Sequence, residues 1–99
     1  MSVSKNHHAW QIASNISCLC WSQDRTRLAL CPGNHEIHIY DTTNFTKCLD
    51  DEVPPLIQKL TDHTDLVTSL SWNDKFLVSV SEDRAAFVWH TIKWTPSRV

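Results

Sequence analysis

Ile16-Ser17-Cys18-Leu19-Cys20-Trp21 returns 51 residues later as Val67-Thr68-Ser69-Leu70-Ser71-Trp72. After a turn shortened by two residues the offset becomes 49, which sets Leu28 over Leu77, Asn34 over Asp83, Ile39 over Val88 and Tyr40 over Trp89. A self-match at a period of about 20–50 residues marks a repeat architecture, in which each unit buries its apolar face against a neighbour. Around the repeat the chain reads as short strands. Leu28 to Cys31 is an apolar run closed by Pro32-Gly33-Asn34, a strong turn signal, and Glu36 to Tyr40 then alternates polar and apolar with period two. Leu66 to Trp72, Phe76 to Val80 and Ala85 to Trp89 repeat the pattern, while Leu56 to Leu60 and the stretch Ile92 to Val99 supply a fourth strand for each copy. No window carries apolar residues at helical spacing between a cap and a terminator. The chain is therefore expected to be all-β, with about two four-stranded antiparallel blades, since four strands in a period near 50 residues make a propeller blade.

The second copy carries the more specific signal. Asp62-His63 ahead of Val67, then Ser79-Val80-Ser81-Glu82-Asp83 and Phe87-Val88-Trp89, resembles the repeat of WD-repeat β-propeller proteins. The resemblance implies a buried hydrogen-bonded chain through Trp89, Ser79 (Ser81 being the alternative hydroxyl), His63 and Asp83. An ionised Asp that accepts from one ring nitrogen fixes the tautomer that lets the other nitrogen accept from a hydroxyl. The same residue types could spell a nucleophilic triad, but a triad needs an exposed hydroxyl beside an oxyanion pocket. The expected role is structural, with no catalytic, cofactor or metal residue assigned.

Asp24-Arg25-Thr26-Arg27-Leu28-Ala29-Leu30, Asn34-His35-Glu36-Ile37-His38-Ile39-Tyr40 and Leu60-Thr61-Asp62-His63 narrow the resemblance, as do Asp83 to Trp89 and Trp94-Thr95-Pro96. They are similar to the first two blades of the WD-repeat subunits of actin-related protein 2/3 complexes, from about Ile12 to the last residue. That resemblance implies a non-enzymatic scaffold for branched actin nucleation in the cytoplasm and cytoskeleton. Its partners would be the other subunits of such a complex and actin filaments, with no cofactor, nucleic acid, membrane or small-molecule substrate. The competing expectations are a WD-repeat interaction module unrelated to actin and a truncated product without activity of its own.

Residues 1–11 read as an N-terminal arm, with Trp10 to Ala13 a strand lacking its partner. Residues 12–60 read as a first blade with a long loop at 41–55, and 61–99 as a second blade. The first copy departs from the family chain, having Tyr40 for Trp, Asn34 for Asp and Leu30 for the hydroxyl, and Gly33 is the single glycine. Family members have seven blades, so a chain of two is expected to be a fragment or a truncated gene product. Its open faces are expected to expose Trp72, Phe76, Leu77, Phe87 and Trp89.

Composition sets the outer bounds. The 99 residues carry 9 Lys+Arg against 11 Asp+Glu, a formal charge of −2 that lacks the basic footprint of a nucleic-acid binder. Hydrophobic residues are 41% and charged residues 20%, which excludes a disordered polyelectrolyte. No run approaches the roughly 18 apolar residues of a spanning helix and the N-terminus lacks a signal h-region, so a soluble intracellular protein with reduced thiols is expected. A metal set could be drawn from Cys18, Cys20, Cys31, His35 and His38, but Cys-x-Cys lacks the usual zinc-knuckle gap, and buried free thiols are the expected reading. Asn15-Ile-Ser17 and Asn44-Phe-Thr46 match the glycosylation pattern by chance. His7-His8 reads as a terminus and Asp50-Asp51-Glu52 as a solvated loop.

Overall fold

A computed structural model of the chain describes residues 15–43, 54–73 and 75–99. Eight strands follow in order: β1 (Cys18–Trp21), β2 (Arg27–Cys31), β3 (Ile37–Asp41), β4 (Leu56–Leu60), β5 (Val67–Asn73), β6 (Phe76–Ser81), β7 (Ala86–His90) and β8 (Thr95–Arg98). They pair as two four-stranded antiparallel meanders, β1-β2-β3-β4 and β5-β6-β7-β8. The arm 1–11, the Trp10–Ala13 strand, Asn44-Phe-Thr46, Cys48 and Asp50-Asp51-Glu52 lie outside the described residues.

Register explains which side chains meet. Because successive residues of a strand point to opposite faces, Cys20 opposite Ala29 and Ala29 opposite Ile39 fall on one face of the first sheet. Trp72 opposite Leu77 and Leu77 opposite Trp89 do the same in the second. These two faces meet, with β1 running beside β5. Ala29, Cys31, Ile37, Ile39 and Leu60 join Val67, Trp72, Leu77, Phe87 and Trp89 in one apolar cluster that spans both sheets. Fully burying each of Ile37, Ile39 and Leu77 stabilises the fold by about 1.5–3 kcal/mol.

This packing corrects the expectation about exposed aromatics. Trp72, Leu77, Phe87 and Trp89 are buried, because their alternation turns them toward the first sheet, and of the five only Phe76 is exposed. Among the described residues the large apolar side chains left exposed are instead Phe76 and Val80 on the far face of the second sheet, Ile16, Leu19 and Trp21 on the first copy, Leu56 and Ile57 on β4, and Ile92 and Val99.

Polar links fasten the sheets at both ends. Val67 N donates to Asn34 O at 3.0 Å, and Ser17 Oγ donates to Val67 O at 2.9 Å. At the other end Arg27 Nη1 donates to Thr91 O at 2.9 Å while its guanidinium lies over the Trp94 ring.

The scarcity of glycine is met in two ways. Gly33 takes φ of 80°, where a Cβ would come within 3.2 Å of the Asn15 side chain. Arg25, Arg84 and Trp94 hold left-handed backbone without being glycine. That conformation costs an L-residue about 1–2 kcal/mol, offset here by turn hydrogen bonds. Arg25 follows Asp24, whose carboxylate accepts from Thr26 N and Oγ1 and from Ser22 Oγ. Arg84 stands between Asp83 and its Ala85 N–H partner.

Candidate functional site

The polar centre of the second sheet is built from two strands and two connections. His63 lies in the β4–β5 connection, Ser79 in the middle of β6, Asp83 in the β6–β7 turn and Trp89 on β7. Ser79 and Trp89 share the inward face through their places opposite Phe87 and Leu77. Trp89 Nε1 donates to Ser79 Oγ at 2.9 Å, Ser79 Oγ meets His63 Nε2 at 2.7 Å, and His63 Nδ1 meets Asp83 Oδ2 at 3.0 Å.

The proton order follows from what each group can do. An indole N–H only donates, so Ser79 Oγ accepts from Trp89 and turns its own O–H to His63 Nε2. His63 therefore carries its proton on Nδ1, facing the Asp83 carboxylate. Ser79 and His63 are both shut off from solvent, and Phe87 covers the imidazole edge-on at 4.7 Å. Asp83 is anchored from two further sides: Thr64 N donates to Oδ2 at 2.9 Å and Ala85 N donates to Oδ1 at 2.8 Å. The Thr64 N–H first, then the His63 ring and the Ala85 N–H, hold the Asp83 carboxyl well below the usual carboxylate range. Among the described residues no buried side-chain nitrogen or oxygen lacks a partner.

Chemically this is a strand-to-loop tie. Ser79 Oγ is buried with a lone pair occupied by the indole, so it cannot reach a substrate as a nucleophile must. Ser81, the alternative hydroxyl, lies elsewhere: it donates to Asp65 O at 3.0 Å and accepts from Asp83 N at 3.1 Å, bracing the same turn. The backbone N–H groups of Thr64 and Ala85 are members of the site that residue types do not announce. Loop conformation alone aims them at Asp83.

The first copy shows what remains when the chain of side chains is missing. Asn34 Oδ1 accepts from Glu36 N at 2.8 Å, matching the Asp83 to Ala85 bond. Leu28, Leu30 and Tyr40 form a separate apolar cluster where the second copy has Leu77, Ser79 and Trp89.

Cys18 and Cys31 stand opposite each other on β1 and β2, and burial followed by the neighbouring Cys18 thiol pushes Cys31 far up. His38 Nε2 pairs instead with Glu36 Oε1 at 2.8 Å. Among the described residues no three His, Cys, Asp or Glu side chains gather closely enough to hold a metal ion. A cleft of about 330 Å³ opens between the sheets, lined by Ser22, Asp24, Thr26, Arg27, Trp72 and Thr91.

Comparison with known proteins places these features. The family pattern described as "WD domain, G-beta repeat" matches residues 3–41 and 54–90. Actin-related protein 2/3 complex subunit 1A of Arabidopsis thaliana is 34% identical over 93 residues, covering 90% of this chain and 23% of that protein. Subunit 1A-B of Xenopus laevis is 32% identical over 90 residues, covering 85% of this chain and 22% of that protein. The chain thus spans about a quarter of the length of these relatives. Among solved structures, the C-terminal WD40 domain of Sif2 superposes with a TM-score of 0.69 at 21% identity, over 93% of this chain and 24% of that one. A chain of the mitotic checkpoint complex superposes with a TM-score of 0.68 at 23% identity, over 85% of this chain and 24% of that one. At such identities the two structures speak for the fold alone.

Proposed function

The chain belongs to the WD-repeat family, and from that premise we propose that it serves as a non-enzymatic scaffold of an actin-related protein 2/3 type assembly, implicated in the nucleation of branched actin filaments. The observation that carries this reading is the 34% identity to a subunit 1 protein over 90% of the chain. The fold alone does not distinguish one WD-repeat protein from another. Its partners are then the other subunits of such a complex and actin filaments, in the cytoplasm and cytoskeleton. Blades at 12–60 and 61–99, preceded by an arm at 1–11, are the working division of the chain.

Mechanistically the chain contributes shape. His63, Ser79, Asp83 and Trp89 act as a structural network that fixes the β4–β5 connection and the β6–β7 turn against β6 and β7, presenting a rigid loop surface to partners. No residue is assigned a catalytic, cofactor or metal role. Support comes from the burial of Ser79 and His63, which leaves them available for packing and not for substrate.

The test is affinity capture with the tagged 99-residue chain from cell extract, followed by mass spectrometry. Retention of actin-related proteins, reduced by Ser79→Ala, is the expected result. Capture of other proteins without any actin-related protein would favour the second reading, a WD-repeat interaction module unrelated to actin. The likeness to the two solved structures speaks for the fold, which both readings share.

A further inference from the structure

Two thiols face each other at the seam between the sheets. Cys18 on β1 is the register partner of Cys31 on β2. Further along the same ladder Ser22 N donates to Arg27 O at 2.9 Å, and hydrogen-bonded pairs alternate with open ones between antiparallel strands, so Cys18 and Cys31 form a hydrogen-bonded pair. The Cα atoms of such a pair stand about 5.5 Å apart, inside the window of about 4.4–6.8 Å that a disulfide spans. Both side chains share the face that packs on the second sheet. Cys20 does not fit. Its register partner is Ala29, which sets it on the diagonal from Cys31 at roughly 7–8 Å, beyond the reach of a bridge, and its side chain runs parallel to that of Cys18 on one strand.

The two facing thiols differ in access. Cys18 is half-buried, and its Sγ reaches Val67 O on β5 at 3.8 Å, whereas Cys31 is wholly buried. Burial, and then the Cys18 thiol beside it, push Cys31 far up, so its thiolate is scarce in the core. First attack on a reagent from solvent therefore falls to Cys18, and Cys31 is placed to resolve what forms there.

We propose that Cys18 and Cys31 are a reversible redox pair, which small-molecule disulfides of the glutathione type oxidise to a cross-strand bridge. The Cys18 thiolate attacks one sulfur of the small disulfide, whose S–S bond breaks, leaving a mixed disulfide on Cys18 Sγ and releasing one thiolate. The Cys31 thiolate then attacks Cys18 Sγ and expels the second thiolate. The two cysteine protons end on the two released thiols, so two electrons pass from the cysteine pair to one disulfide, and excess small thiol reverses the exchange. The bridge takes the S–H from Cys18 and with it the donation to Val67 O, while Ser17 Oγ keeps its own bond to that oxygen. Oxidation thus moves a link from the seam between the sheets into the first sheet. The pairing rests on register and packing, independently of any role with actin.

The test equilibrates the 99-residue chain with buffers of reduced and oxidised glutathione, quenches in acid, blocks free thiols and maps the bridges by peptide mass spectrometry. The expected product is the Cys18–Cys31 bridge, with an equilibrium constant at least about tenfold above that of the same bridge in concentrated urea. Cys20→Ser is expected to leave that constant unchanged, and Cys31→Ala to stop the reaction with glutathione on Cys18. β-Sheet circular dichroism checks that each variant folds. Should Cys31→Ala fail to fold, wild type quenched early takes its place, and is expected to carry glutathione on Cys18 before the bridge closes. No bridge, a bridge through Cys20 or Cys48 in place of Cys31, an equal constant in urea, or glutathione on Cys31 ahead of Cys18 would each overturn the proposal.

Discussion

Ser79 holds two buried partners at once, the Trp89 indole and the His63 ring. Ser79→Ala leaves a donor and an acceptor without partners in the core, at about 1–3 kcal/mol each. In a domain of this size each kcal/mol lowers Tm by roughly 4–8 °C, so thermal denaturation is expected to show a loss of about 10 °C or more. Asp83 gives the same network a pH signature. Its carboxyl is held below the ordinary range in the folded chain, so the stability it adds is full above the unfolded value near 4 and is lost as pH falls from there through the lower folded value. Asp83→Asn is therefore expected to be less stable at neutral pH and to lose less on acidification than wild type, as followed by urea unfolding at several pH values. Equal acid sensitivity in the two proteins would remove Asp83 from that role. Arg84 makes a third residue-scale case: its left-handed backbone is available to glycine without strain, and Arg84→Gly is expected to leave the melting temperature unchanged or raise it slightly.

At the scale of elements, strand positions were legible because period-two alternation and turn residues both report them. Leu56–Leu60 coincides with its sequence reading, and Phe76–Ser81 runs one residue past it. The fourth strand of the second sheet was placed only within the stretch from Ile92 to Val99, because Thr95–Arg98 is exposed throughout and carries no apolar alternation. His63, Ser79, Asp83 and Trp89 could be picked by type and spacing. The N–H groups of Thr64 and Ala85 could not, since every residue but proline has one and only the fold aims it. Nor did residue types disclose which face of each strand looks inward, and so the exposed aromatics were misassigned. Arg27 was invisible for a similar reason: its bond to Thr91 O and its place over Trp94 join segments far apart in the chain. Arg27→Ala is expected to loosen the two sheets at that end, costing about 1 kcal/mol, with faster amide exchange at Thr91 and Trp94 while Val67 stays protected.

For the whole molecule, two sheets share one core, and Leu28, Leu30 and Tyr40 form a second, smaller buried cluster on the first sheet. The proposed scaffold role asks such a body to hold other proteins in place, and the identity to subunit 1 proteins over most of this chain is what supports it. Scaffolding requires the chain to reside in the assembly. Gel filtration of extract from cells that express the chain, probed with an antibody against residues 41–53 and with antibodies against actin-related proteins, tests this most directly. Co-elution of the chain with the actin-related proteins in one large species is the expected result. Elution of the chain apart from them, whether alone or only with copies of itself, would contradict the scaffold assignment.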